Sequence, residues 1–262
     1  MPEFEFITYE KVDRIAYLTI NRPDVMNALH PPACVEMSQV WDDFAADPEA
    51  WVAIVTGAGE RAFSAGMDLR YRNQTDGERV AMPASGFGGL TNPRERAISK
   101  PIIAAVNGYA LGGGLEMAMA CDIILASDTA TFGLPEAKRG ILPGAGGMHR
   151  LPRQIPFRVA LGYMLTGRSM SADEAYRWGL INEVVPAADL METAKKWALE
   201  ILDCAPLSVR AIKQAATLGL DMSLEEAYNT RFPAQEAMQG SEDSREGPRA
   251  FGERRKPVWT GR

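Results

Sequence analysis

The chain has 262 residues, 46% of them hydrophobic and 24% charged, which suits one large soluble domain or a domain with a helical appendage. A net charge of −6 argues against a broad basic footprint for nucleic acid, although a few arginines can still form a local positive patch. Cys34, Cys121 and Cys204 stand far apart with no CxxC pair, which points away from a disulfide framework or a zinc site and toward a reducing compartment.

The start, MPEFEFITYE, is acidic and lacks the basic and apolar regions of a secretory signal. No stretch approaches the ~18 uninterrupted apolar residues of a membrane span, so no membrane is expected as a partner and the cytoplasm is the expected location. Residues 12–20, VDRIAYLTI, read as a strand that Arg22-Pro23 end. Residues 33–46 set Val35, Val40, Trp41 and Phe44 at helical spacing, and the run 51–55 is a second strand closed by Thr56-Gly57-Ala58-Gly59. In 61–70, RAFSAGMDLR, an apolar approach meets Ala65-Gly66; the pattern fits a turn after a strand, or a turn that presents a backbone N–H to a pocket. Residues 71–96 show little periodicity and read as a long loop, of the kind that roofs binding pockets.

The most informative segment is 103–122, IAAVNGYALGGGLEMAMACD. An apolar strand from 101 to 106 runs into Asn-Gly, then three glycines, then a helix starting near Leu115. Glycines there let the chain turn sharply and let a ligand approach the main chain. The first helical turn leaves N–H groups unpaired at the positive end of the helix dipole, which suits an oxygen that becomes negative during a reaction. Glu116 lies in that turn; taken alone, the same pattern also describes a packing device with an acid complementing the dipole. Further short strands are expected at 122–126 and 130–133. Pro135 then suits the first position of a short helix, followed by Glu136 between the apolar flanks Phe132, Leu134, Ile141 and Leu142, where an acid serves as cap or as catalyst. Glycines 144, 146 and 147 do not make a dinucleotide motif, because G-x-G-x-x-G needs glycine where His149 stands, and no Gly-Lys-Ser/Thr follows for a phosphate loop.

From about Pro156 the pattern turns helical. Ser171 and Glu174 form a capping-box signature for a helix that Gly179 ends, and Asp189 with Glu192 marks another start. Helices continue over 206–218 and 223–238, with a short strand at 180–185, while the basic tail 241–262 lacks a regular pattern. Strands alternating with helices make the fold class α/β, with a core over 1–190 and a helical region with a tail over 191–262.

Asn107-Gly-Tyr-Ala-Leu-Gly-Gly-Gly-Leu-Glu116, Phe132-Gly-Leu-Pro-Glu136 and Leu142-Pro-Gly-Ala-Gly-Gly147 together resemble the signature of the crotonase (enoyl-CoA hydratase/isomerase) superfamily, in order and at its spacing. The resemblance spans the chain, through Asn21-Arg22-Pro23, Asn27-Ala28-Leu29, 62–68, Leu165 to Arg168, 175–179 and 246–251. Residues 86–91 and 257–262 are similar to its carnitinyl-CoA dehydratase branch, whereas Gly144-Ala145 follows the ordinary hydratase pattern.

The resemblance implies a spiral of ββα units followed by a helical trimerisation region, assembled as a homotrimer or hexamer. It implies an oxyanion hole from the backbone N–H groups of Met67 and Gly113, and a water held between Glu116 and Glu136. Hydratases of the family carry both acids; Glu136 would handle the α-proton and Glu116 the water. At an assumed ~5 Å and effective dielectric of ~20 the two charges would repel by roughly 3 kcal/mol, enough to hold one acid protonated near neutrality. For the coenzyme A part of an acyl-CoA substrate the resemblance implies Ala65, Asp68, Leu69 and Arg70, with Phe251 and Arg254 reaching a neighbouring subunit's nucleotide. No permanently bound cofactor and no metal is expected. Within the family a double-bond isomerase needs the same hole and fewer acids. An RNA-binding relative wants a lysine-rich helix, but 189–203 offers only Lys195 and Lys196; a serine peptidase of related fold lacks support from His30 and His149.

Overall fold

The computed structural model describes residues 4–73, 80–95 and 97–262. The chain opens with a hairpin, β1 (Ile7–Val12) and β2 (Ile15–Ile20), followed by α1 (Pro31–Ala46), β3 (Val52–Gly57), β4 (Ala62–Ser64) and α2 (Leu69–Asn73). Next come β5 (Ile102–Val106), β6 (Tyr109–Leu111), α3 (Gly113–Ala118), β7 (Ile123–Ser127) and β8 (Thr131–Gly133). The remainder is α4 (Gly147–Gln154), α5 (Phe157–Thr166), β9 (Ser169–Ser171), α6 (Ala172–Arg177), β10 (Glu183–Val185), α7 (Leu190–Leu202), α8 (Pro206–Gly219), α9 (Leu224–Asn229), α10 (Pro233–Gln239) and α11 (Glu242–Gly252). Among the described residues no helix is long and apolar enough to cross a membrane.

The strands alternate between two sheets. β3, β5 and β7 pair in parallel in the larger sheet, ordered β1-β2-β3-β5-β7-β10, while β4, β6 and β8 pair in parallel in the smaller one, ordered β4-β6-β8-β9. Each pass of the chain thus adds one strand to each sheet before a helical segment, which is the expected spiral of ββα units. The middle of the larger sheet is buried on both faces, so β3 and β5 are apolar runs without alternation. The pleat sends Val52, Ile54, Ile103 and Ala105 toward α7, which answers with Leu190, Ala194 and Ala198. Ala53, Val55, Ala104 and Val106 face the main core with Trp41, Phe44 and Phe63.

Four expectations need correction. Residues 12–20 are not one strand: Asp13 and Arg14 both take positive φ (51° and 68°), a tight turn from which β1 folds back on β2. The helical stretch over 223–238 is broken between α9 and α10, where Pro233 restarts the chain at a first-turn position. Helix α7 does start directly after Asp189, as expected, although the Asp189 side chain makes no capping hydrogen bond. The tail is ordered: Ser241 caps α11, and the last residues are held against it by Asp243, which accepts from Thr260 N and Gly261 N, and by Glu246, which accepts from Val258 N. The long loop expected over 71–96 is partly structured, with α2 at its start and a 3-10 turn at Phe87–Gly89; its residues 74–79 and 96 lie outside the described residues.

Candidate active site

Two turns meet where β4 and β6 end. Asn107 fastens the strand entrances, its side-chain amide donating to Gly57 O (2.9 Å) and Gly59 O (2.7 Å). Asn27 does the same one layer on, donating to Ala58 O (2.9 Å) and Ala62 O (2.7 Å). After β6, Gly112 takes φ +54° and α3 begins at Gly113 with no side-chain cap. Gly112 N donates to Gly133 O and Glu116 N to Gly112 O, but no carbonyl among the described residues takes the Gly113 N–H.

The facing turn follows β4. Leu29 donates to Gly66 O and accepts from Asp68 N, both at 2.8 Å, so the N–H of Met67 between them points away from Leu29. Gly66, at φ +89°, packs so closely that a Cβ there would lie 2.6 Å from Leu111 O and 3.0 Å from Gly113 N. The unpaired Gly113 N–H and the turn carrying Met67 are therefore immediate neighbours. Phe87 covers the other flank: a Cβ on Gly113 would meet its ring at 2.5 Å.

Both acids converge on the start of α3. Glu116, one helical turn in, is 3% exposed, and its Oε1 accepts from Gly147 N at 2.7 Å. Burial pushes its carboxyl up to about 7; the Gly147 N–H works against that shift and the charge of Glu136 adds to it. Glu136 follows Pro135 in the 3-10 turn Pro135–Arg139, and its Oε1 stands against Gly112, where a Cβ would be 2.9 Å away. It is 7% exposed, and its Oε2 has no hydrogen-bond partner among the described residues. Burial raises this carboxyl as well, with Arg139 opposing. Two carboxyls of raised pKa thus flank an unpaired backbone N–H, an arrangement suited to moving protons beside a developing oxyanion.

The chain matches the enoyl-CoA hydratase/isomerase family over residues 10–262. It belongs to that family. It is 43% identical over 255 residues to an (E)-benzylidenesuccinyl-CoA hydratase of Thauera aromatica, covering 97% of this chain and 99% of that protein. It is equally similar, at 43% over 255 residues and 95% of each chain, to the carnitinyl-CoA dehydratase of Escherichia coli K12. Its fold superposes on the crystal structure of an enoyl-CoA hydratase from Mycobacterium tuberculosis H37Rv with a TM-score of 0.91, at 38% identity, covering 98% of this chain and 99% of that one. The spiral fold and the likeness to the carnitinyl-CoA dehydratase branch of the enoyl-CoA hydratase/isomerase family are therefore as expected.

The remaining expected residues divide in two. Ala65 N is held by Met26 O at 2.9 Å on the turn beside the Met67 N–H, and α2 follows directly. The side chain of Asp68 is occupied by the fold: it accepts from Arg70 N (3.1 Å) and Tyr71 N (3.2 Å) and pairs with Arg22 (3.0 Å). Burial pushes that carboxyl up, but the Tyr71 N–H and Arg22 outweigh it and hold it below the ordinary range. Leu69 and Arg70 are exposed beyond this cap. Phe251 and Arg254, by contrast, lie at the end of α11, which packs on α10 and the C-terminal strap; Phe251 is 87% exposed. In the sequence Phe87 and Arg22 stand out only as members of family motifs and Arg150 not at all, because their contacts are with residues far away along the chain. Among the described residues no group of three or more His, Cys, Asp or Glu is placed to hold a metal ion.

Proposed function

We propose that the chain adds water across, or removes it from, the 2,3 double bond of a 2-enoyl-CoA thioester, with Glu116 and Glu136 as the proton-transfer pair. The observation that carries this is the placement of two buried carboxyls, in no ion pair among the described residues, beside the turn that bears the unpartnered Gly113 N–H: Glu116 one helical turn on from Gly113, and Glu136 against Gly112. The N–H groups of Met67 and Gly113 grip the thioester oxygen, and each such donor stabilises the enolate-like transition state by ~3–4 kcal/mol. Glu116 removes a proton from water as it attacks the β-carbon, and Glu136 supplies the proton to the α-carbon. The reverse sequence dehydrates. The turn at Ala65 to Arg70 receives coenzyme A as part of the substrate, without a resident cofactor, and Phe251 and Arg254 complete that site from a neighbouring subunit of a trimer or hexamer.

The acyl group we infer to be short, branched or polar. Supporting this are the relatives' names, whose acyl groups are not plain alkyl chains, and the polar character of residues 71–96. The test follows loss of the conjugated enoyl-thioester absorbance over a panel: straight chains of increasing length, crotonobetainyl-CoA and benzylidenesuccinyl-CoA. An alkyl tunnel would gain ~0.8 kcal/mol per buried methylene, so a steep rise with length would overturn the short-acyl assignment. Glu136→Gln should keep acyl-CoA binding and lower turnover by roughly 10²–10⁴. Turnover within a few-fold of wild type would exclude the two-acid mechanism, and double-bond migration without hydration would show an isomerase.

A further inference from the structure

Arg150 closes the first turn of α4, and its guanidinium spans two segments that frame the acids. Nη2 donates to Thr91 O at 2.9 Å, on the segment that carries Phe87, and Nη1 donates to Ala145 O at 3.2 Å, two residues before the Gly147 N–H that holds Glu116. Gly146, at φ +107°, lies flat on the guanidinium: a Cβ there would fall 2.1 Å from Nη1. Only a residue without a side chain admits the arginine at this distance. Among the described residues no carboxylate is within ion-pair distance of Arg150; burial disfavours its charge, and the charge of Glu116 favours it.

We propose that Arg150 is a positioning residue for the proton transfer, clamping the 145–147 turn to the 86–91 segment so that Gly147 N–H meets Glu116 and the carboxyl stays available as an anion. The proposal rests on the two-acid function above for its catalytic consequence but not for its geometry. The guanidinium is suited to this because its planar fork reaches two carbonyls at once while remaining charged, which a lysine ammonium does not do in the same plane. The other groups around Glu116 do not supply a compensating cation. Glu136 is itself acidic, the 86–91 segment and β4 have no titratable side chain, and on β6 Tyr109 is exposed. Within α4, His149 and Arg153 are exposed, and Arg153 donates to His149 O. Cys121, behind Arg150, is neutral because burial raises its thiol.

The experiment titrates the Glu116 carboxyl by carbon-13 NMR, using the Glu116→Gln spectrum for assignment, in wild type, Arg150→Gln and Arg150→Lys. Removing both the cation and the clamp should raise the titration midpoint in Arg150→Gln by about one pH unit, while Arg150→Lys, which keeps the charge but loosens the clamp on Gly147, should raise it by less. In the pH–rate profile the alkaline-rising limb should move with it. KM should hold within about 3-fold in both variants, and kcat should fall at least about 10-fold, because the reacting group and not the binding turn is disturbed. An unshifted midpoint in Arg150→Gln overturns the proposal. Should that variant not fold, Arg150→Lys decides: wild-type kcat, or a loss carried by KM alone, overturns the clamp. Because the titration needs no turnover, an inactive wild type would refute the proposed function and leave this test standing.

Discussion

At the residue scale, the acids are where the fold holds its least comfortable charges. Glu116 is nearly enclosed and is held by backbone N–H groups of the 145–147 turn, with the short bond from Gly147 at 2.7 Å. Its folded-state pKa of about 7 stands above the value of 4.5 for a free glutamate. Between those values the folded chain holds the proton that the unfolded chain has released, so the group lowers stability as pH rises through that window. We therefore expect Glu116→Gln to stabilise the fold at pH 8 by on the order of 2 kcal/mol, with no difference below about pH 4. Urea unfolding at the two pH values measures this; equal stability at pH 8 would mean that the carboxyl is not strained by burial. Gly112→Ala should have the opposite character. Its φ of +54° and the Glu136 Oε1 standing 2.9 Å from a new Cβ leave no room, so activity should fall with the acid displaced.

At the element scale, the chain places chemistry on short pieces and stability on local signals. α3 is only six residues long and is held through its surroundings, with Leu115, Met117 and Ala118 in the core. α6 is equally short but closes itself by a capping box: Ser171 Oγ accepts from Glu174 N and Glu174 returns the bond to Ser171 N. Ser171→Ala should therefore cost about 1 kcal/mol of stability, read from the unfolding midpoint, with turnover unchanged. The same contrast explains what could be read in advance. The Ser171–Glu174 box is visible in four consecutive residues. The β1–β2 turn is not, because Asp13 and Arg14 adopt positive φ without a glycine to announce it. α11 is hidden too: its run is polar and contains Pro248, and it is secured by carboxylates meeting backbone N–H groups some 12 to 18 residues onward.

At the scale of the whole molecule, the helical end presents apolar side chains outward, among them Leu220, Leu224 and Tyr228, which are 84%, 86% and 88% exposed in the single chain. Such a surface suits burial between subunits. Light scattering at micromolar concentration should give a trimer or hexamer, and Leu224→Glu with Tyr228→Glu should shift it toward monomer. If Phe251 and Arg254 serve the neighbouring subunit's nucleotide, Arg254→Ala should lower the thermal protection by an acyl-CoA in the trimer without altering the acids. A monomeric wild type that binds acyl-CoA fully would refute the shared site.

The alternation of strands and helices, the glycine-rich entry to α3, and Glu116 and Glu136 at the positions of a recognisable family pattern can all be read from the residues in order. These are legible because periodicity, caps and turns act over a few residues, and because the motifs keep their spacing. Packing alone brings Gly66 against Gly113 and Gly147 onto Glu116, commits Asp68 to Arg22 and α2, and lets Arg150 reach Thr91 across 59 positions. Each of these depends on two strands or turns from separate passes of the spiral being packed in contact. That distance is set by the closing of the whole core, and no local propensity encodes it.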